Sequence, residues 1–249
     1  AFARAETIEQ AVSSWRQRSE ANGVANRGCE ATPLSSELCS LLSTSLTWAA
    51  RTEGAFDPTL YHSIRLWAVA RQSQELPPQE AIAAAHAKGG WRGVTFDGDA
   101  CVASIDTAGL RFDFGGIAKG FAADEMLAVL AGLGIERALV EIGGDVVASG
   151  PPPGQEWWRV RIEGTTEVIN LAYGAVATSG DAMQALELHG VRYSHIIDPA
   201  TGEALTLSVP VTVIVRGGST PGADADALAS AASVLAARLM SRRHHPSGS

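Results

Sequence analysis

The hydrophobic period of the chain changes near residue 90, and that change limits the fold more than any single motif does. Before it, apolar residues recur every three or four positions, the spacing of an amphipathic helix. Residues 5–22 place Ile8, Val12 and Trp15 on one face. Residues 36–51 do the same with Leu38, Leu41, Leu42 and Leu46, behind a cap at Ser35 or Ser36. Residues 60–71 and the Ala-rich 79–87 read as two more helices, with 72–78 as linker. The stretch Ala55-Phe56-Asp57-Pro58-Thr59 cannot lie mid-helix, because a residue before proline is pushed out of helical geometry.

After residue 90 the apolar runs are short and separated by glycines. Residues 94–96 and 101–105 read as a hairpin about the turn at 97–99, and 110–114 as a further strand. Residues 117–132 read as a helix, 138–142 as a strand, and 146–149 as extended chain. The loop at Pro151-Pro152-Pro153-Gly154 is followed by an antiparallel meander over 157–162, 167–172 and 175–178. Residues 194–197 and 209–215 are the last strands, and a helix over 224–239 closes the chain. Helices followed by strands with inserted helices predict an α+β fold, with mixed or antiparallel sheets and packed helices. One domain is expected over 1–240, with a polar, disordered tail over 241–249.

With 249 residues, 46% hydrophobic and only 18% charged, the chain can bury a full core and is not disordered. Its formal net charge of −8 argues against nucleic acid as a partner. No apolar run approaches the roughly 18 to 20 residues that span a bilayer. Cys29, Cys39 and Cys101 are too few and too scattered for a disulfide framework or a zinc site, although one disulfide stays open. The chain opens at Ala1, and Glu6, Glu9 and Arg16 interrupt a stretch that would otherwise suit a signal peptide, so a processed start is expected. Its cations are almost all arginine: only Lys88 and Lys119 are lysines.

Five motifs bear on chemistry. In Asp113-Phe114-Gly115-Gly116-Ile117-Ala118-Lys119-Gly120 a glycine pair joins a strand to a helix start. Free N–H groups and the positive helix end suit a phosphate there, and Lys119 is a poor residue for that position without an anionic partner. A tight turn with a solvated lysine is the alternative. Gly143-Gly144-Asp145 allows close approach of a ligand, with Asp145 as an acceptor for a ribose or a ring N–H, or it is an ordinary kink. Thr178-Ser179-Gly180-Asp181 suits a polyol or phosphate, and equally a turn. His195, in Tyr193-Ser194-His195-Ile196-Ile197-Asp198-Pro199, is either a base with Asp198 as its orienter or a structural histidine. Asp226 and Ser230 share one helix face, where oxygen ligands suit a hard cation and acids also favour a helix start.

In this order, and together with Ala55-Phe56-Asp57-Pro58-Thr59, these motifs closely resemble the ApbE family, the FAD:protein FMN transferases, over roughly residues 8 to 235. The resemblance implies an ApbE-like fold with FAD in a cleft between two subdomains. It implies Mg²⁺-dependent transfer of FMN from FAD to a Thr or Ser hydroxyl of an acceptor protein, releasing AMP. Hydrolysis of FAD to FMN and AMP, or a non-catalytic FAD-binding module, are the alternatives. The FAD contacts expected are Trp15, Ala55, Phe56, Asp57, Gly115, Gly116, Lys119, Gly143, Gly144, Asp145, Thr178, Ser179, Gly180, Asp181, His195 and Ile196. His195 and Asp198 are the expected catalytic pair. The metal ligands implied are Asp226, the Ser230 hydroxyl, where the family usually has Thr, and the main-chain carbonyl of Ala118. Trp15 falls where many relatives carry a flavin-stacking Tyr. The family's strands before the first helix and after the last are missing, so a compact or partial form is expected, with exposed sheet edges that would favour a homodimer. Family habit places the chain in the periplasm or on the outer face of the bacterial inner membrane, with a cytoplasmic location still open.

Overall fold

The computed structural model describes residues 1–162, 164–180, 185–207 and 209–244. Helix α1 (Phe2–Val12) and helix α2 (Glu20–Arg27) replace the single helix expected over 5–22. The chain turns extended at Ser13, and Ser19 caps α2 by accepting from the Asn22 N–H. Side-chain bonds hold the break: Ser14 donates to Asp113 at 2.9 Å, and Asn22 Nδ2 donates to the Arg16 carbonyl at 3.0 Å. Trp15 therefore leaves the buried face and is 66% exposed. Helix α3 (Ser36–Arg51) starts as expected, with Ser35 as the cap. Helices α4 (Tyr61–Ser73) and α5 (Gln79–His86) follow.

Strand β1 (Thr32–Pro33) joins β3 (Val102–Ile105), which pairs with β2 (Val94–Asp97) in a three-stranded sheet. A disulfide between Cys39 and Cys101 ties α3 to this hairpin, while Cys29 is free and exposed. Residues 110–114 are not a strand. They alternate as a strand would, with Leu110, Phe112 and Phe114 buried, but they make no ladder; the Asp113 N–H goes to the Pro58 carbonyl instead.

Helix α6 (Ala118–Gly132) is followed by β4 (Leu139–Ile142) and β5 (Asp145–Ala148), then β6 (Trp158–Arg161), β7 (Val168–Leu171) and β8 (Gly174–Ser179). The expected meander does not form, because β8 leaves β7 and pairs with β5 on one side. On its other side lies β11 (Val211–Arg216), giving a four-stranded antiparallel sheet in the order β11-β8-β5-β4. Gly174 permits this close pairing, since a Cβ there would lie 2.2 Å from the Val215 carbonyl oxygen. The strand expected over 194–197 is the end of a small hairpin, β9 (Ala185–Leu188) with β10 (Val191–Ser194), and Ile197 makes only an isolated bridge to Ala204.

Helix α7 (Pro221–His244) is longer than the expected 224–239 and runs past the boundary drawn at residue 240; residues 245–249 lie outside the described residues. It carries eight of the chain's 42 alanines. Ala225 and Ala229 pack with Ala123, Met126 and Val147 against the central sheet. Ala227, Ala231 and Val234 face the core built by α1, α2 and α3. A helix buried on both sides needs small apolar residues around most of its circumference. It crosses α6 at glycines: a Cβ on Gly120 would sit 2.0 Å from the Gly222 carbonyl oxygen. No helix among the described residues is long and apolar enough to cross a membrane.

Candidate functional site

The α6–α7 crossing places one lysine between two buried carboxylates. Lys119 heads α6, Asp226 lies on α7 and Asp145 opens β5. The Lys119 ammonium is 3.0 Å from both oxygens of Asp226 and 3.0 Å from Asp145 Oδ2. Asp145 and Asp226 are only 3% and 4% exposed. Burial works against the charged lysine, but the Asp226 and Asp145 charges outweigh it and raise its pKa above the ordinary lysine value. Burial, then the neighbouring Asp226 charge, pushes Asp145 up to about 6 against the pull of Lys119. The anionic partner that Lys119 needs at a helix start is therefore built into the protein.

The glycine junction is not an open cradle of N–H groups. Gly115 donates to Asp113 Oδ1 at 2.9 Å, Ile117 and Ala118 donate to the Phe114 carbonyl, and Gly120 donates to Asp226 at 3.3 Å. Burial raises the Asp113 pKa even though the Gly115 and Ser14 bonds stabilise its charged form. Gly116 leaves room for α7: a Cβ there would lie 2.7 Å from the Ser230 hydroxyl oxygen. Gly143 and Gly144 form the β4–β5 turn with φ of +58° and +91°, as a two-residue hairpin turn requires.

A cavity of about 500 Å³ opens beside this cluster. It brings together most of the expected residues: Trp15, Ala55, Phe56, Asp57, Gly115, Gly116, Lys119, Gly143, Thr178, Ser179, Gly180, His195, Ile196, Asp226 and Ser230. One part of the wall is apolar, from Phe56, Leu60, Ile64, Ile196 and Val234. Leu60, Ile64 and Val234 were not expected there; their sequence signal was helical spacing, which marks core and cavity wall alike. Trp15 lies at this wall with the Arg65 guanidinium 4.4 Å above its ring. Asp57 also reaches the cavity, but its oxygens accept from Thr59 and from the Trp91 N–H, which fix the turn at 55–59. Thr178 shares a hydroxyl contact of 2.9 Å with Thr212 across β8 and β11.

Four expected residues stand elsewhere. Gly144 and Asp145 lie behind the lining; the Gly144 N–H goes to Glu141, and Asp145 holds Lys119 rather than a ribose. Ala118 is half-buried at the head of α6 and does not line the cavity. Asp198 does not orient His195. Its carboxylate is taken by Arg238 of α7, with Arg238 Nε at 3.1 Å, and by the Ala200 N–H at 2.8 Å. Asp181 lies outside the described residues.

The donors present suit a hard divalent cation. Two carboxylates share one ammonium and so keep a net negative charge, and the Ser230 hydroxyl and the Gly115 and Gly116 carbonyls stand close by. No cluster of three or more His, Cys, Asp or Glu occurs among the described residues. A cation with few protein ligands fits that composition better than one needing a full protein cage.

A family model described as the ApbE family matches residues 1–244. The chain is 32% identical over 226 residues to the FAD:protein FMN transferase of Chlamydia muridarum, covering 90% of this chain and 71% of that protein. It is 34% identical over 218 residues to the Treponema pallidum protein of the same name, of which it spans 59%. The crystal structure of the ApbE protein from Thermotoga maritima superposes with a TM-score of 0.85 at 31% identity, over 97% of this chain and 79% of that one. The flavin transferase ApbE from Vibrio cholerae superposes with a TM-score of 0.80 at 30% identity, over 92% and 76%.

Proposed function

Because the chain belongs to the ApbE family, we propose that it transfers FMN from FAD to a Thr or Ser hydroxyl of an acceptor protein, with Mg²⁺ bound and AMP released. The observation that carries this reading is the cavity itself, which joins an apolar wall to a buried cation–carboxylate cluster. A flavin ring suits the first part, and a pyrophosphate suits the second once a divalent cation offsets its net negative charge.

In the reaction the acceptor oxygen bonds to the phosphorus of the FMN half, and the bond from that phosphorus to the AMP oxygen breaks. The acceptor's proton goes to His195, which lines the cavity and is the side chain there with a suitable ordinary pKa. Lys119 places a positive charge at the phosphate end. Phe56, Leu60 and Ile64 hold the ring by burial, and Trp15 covers it from the mouth. Asp226 and Ser230 would hold Mg²⁺ with Asp145 behind them, and the Gly115 and Gly116 carbonyls, rather than that of Ala118, stand beside these side chains. When bound, Mg²⁺ supplies Lewis-acid stabilisation of charge on the phosphoryl oxygens.

The test is incubation with FAD, Mg²⁺ and a Thr-containing acceptor, read by mass spectrometry. Covalent FMN on the acceptor is the expected result. Free FMN and AMP alone would mean hydrolysis, and tight FAD binding without AMP would mean a binding module. The Cys39–Cys101 disulfide supports a site of action outside the cytoplasm, where such bonds persist.

A further inference from the structure

Lys119 occupies the point where the oxygen atoms of the cluster converge. Besides the three carboxylate contacts at 3.0 Å, its ammonium lies 3.4 Å from the Gly115 carbonyl oxygen. An ammonium has three hydrogens to give; the two Asp226 oxygens and the Gly115 carbonyl accept them, while Asp145 Oδ2 is paired with the charge at 3.0 Å without a hydrogen bond. Asp226 also accepts the Gly120 N–H, so little of its lone-pair capacity is left while Lys119 stays. A divalent cation bound to Asp226 would stand within a few ångströms of the ammonium, in a poorly hydrated site where like charges repel strongly.

We infer that Lys119 and the divalent cation compete for the Asp145–Asp226 pair, so that the metal enters only as Lys119 withdraws into the cavity. This rests on the Mg²⁺-dependent reading above. The path for withdrawal is present. The Lys119 side chain is 36% exposed and lines the cavity. Its stem runs past Gly143, where a Cβ would lie 3.4 Å from Lys119 Cδ, so no side chain at that position obstructs it. The exchange leaves the carboxylates paired with a cation throughout. It also moves the lysine charge toward the space where a pyrophosphate would lie. Lys119 is in this way a positioning residue for the metal before it is a partner for the phosphates.

Because the chain has only two lysines, the exchange can be read directly. Amine acylation of the native chain at about pH 8, followed by peptide mass spectrometry, reports Lys119, with exposed Lys88 as internal control. Calorimetry with Mg²⁺ runs alongside, on the native chain and on K119M. Saturating Mg²⁺ is expected to raise acylation of Lys119 several-fold and leave Lys88 unchanged. K119M is expected to bind Mg²⁺ about tenfold more tightly, because the apparent affinity of the native chain is reduced by the fraction of molecules with the lysine in place. If the native chain binds Mg²⁺ while Lys119 labelling stays constant or falls, the metal sits beside the lysine and the inference is overturned, with metal dependence intact. Equal or weaker binding by folded K119M overturns it in the same way. If the native chain gives no Mg²⁺ binding, the metal reading itself falls and takes the inference with it. The labelling arm needs no variant, so a misfolded K119M would not remove the test.

Discussion

Two carboxylate sites join α6 to α7, one half-buried at Asp124 and one buried at Asp145 and Asp226, and they are neutralised in different ways. Asp124 of α6 accepts the N–H groups of Gly222 and Ala223, both at 2.9 Å, and so caps the start of α7. Asp226 of α7 and Asp145 of β5 are instead held by the Lys119 ammonium. Main-chain amides are fixed by the helix they begin, whereas an ammonium on a four-carbon stem can leave. Burial pushes Asp124 up to about 7 despite its two hydrogen bonds, with the Asp224 and Glu125 charges adding to the shift. On α6 Lys119 precedes Gly120 and Asp124 follows it, so one crossing carries a fixed carboxylate and an exchangeable pair. The difference separates what assembles the fold from what does the chemistry.

Three substitutions would break that separation if it is wrong. The largest effect is expected at the crossing itself. Gly120→Ala places a Cβ 2.0 Å from a main-chain oxygen that cannot move alone. It should cost about 3 kcal/mol or more and lower Tm by roughly 6 to 12 °C. Thermal unfolding with near-native Tm would show that the helices can shift apart, and that both carboxylate sites are looser than their distances imply. Asp226→Asn comes second. Lys119 keeps Asp145 as a partner, so Tm should change little, while Mg²⁺-dependent FMN transfer falls by about 100-fold or more. A loss of stability as large as that of Gly120→Ala, with transfer retained, would reassign Asp226 to the structural side.

The third is Asp124→Asn, read through pH. The folded-state pKa of Asp124, about 7, lies above its ordinary 3.8, so the folded chain holds this proton longer than the unfolded one. Its contribution is therefore most favourable below about pH 4 and is lost as pH rises to about 7, at no more than about 1.4 kcal/mol per pH unit. Native stability minus that of Asp124→Asn should fall between about pH 5 and pH 7 and level off above about pH 8, measured by urea unfolding. A flat difference would mean that the amide donors already hold the charge without cost.

Much of this arrangement was legible in the sequence, for reasons that vary by segment. Helices α3, α5 and α6 came out close to their observed bounds, because a Ser cap, a proline or a glycine marked their ends locally. The cavity residues were found through short motifs, and most of them do meet. What failed depended on distant partners. Nothing between Ser13 and Ser19 forbids a helix; the break exists because Ser14 reaches Asp113 and Asn22 reaches back to Arg16. The alternation of Leu110, Phe112 and Phe114 reported burial correctly, but burial is not a ladder. Strand β8 pairs with residues far along the chain, and only the close approach at Gly174 hints at it. The pairing of Asp145 with Lys119 is not visible in the sequence, because the two belong to different elements and meet only through packing.

The smallest expected effect tests the other end of α7. Arg238 holds Asp198 with its Nε at 3.1 Å, twelve residues after Asp226, or roughly 18 Å along the helix axis. Both side chains are partly exposed, at 30% and 15%, so the pair should be worth about 1 kcal/mol. Asp198→Asn should therefore lower stability by that amount and leave Mg²⁺ affinity unchanged, because neither partner approaches the Lys119 cluster. Its effects should add to those of Asp226→Asn, as they do for sites this far apart. The sharper readout is the pH profile of FMN transfer. If Asp198 oriented His195, removing its charge would lower the imidazole pKa and shift the acid limb to lower pH. With its oxygens on Arg238 and the Ala200 N–H, the acid limb should stay where it is. A shifted limb would return Asp198 to the catalytic pair and make both ends of α7 chemical.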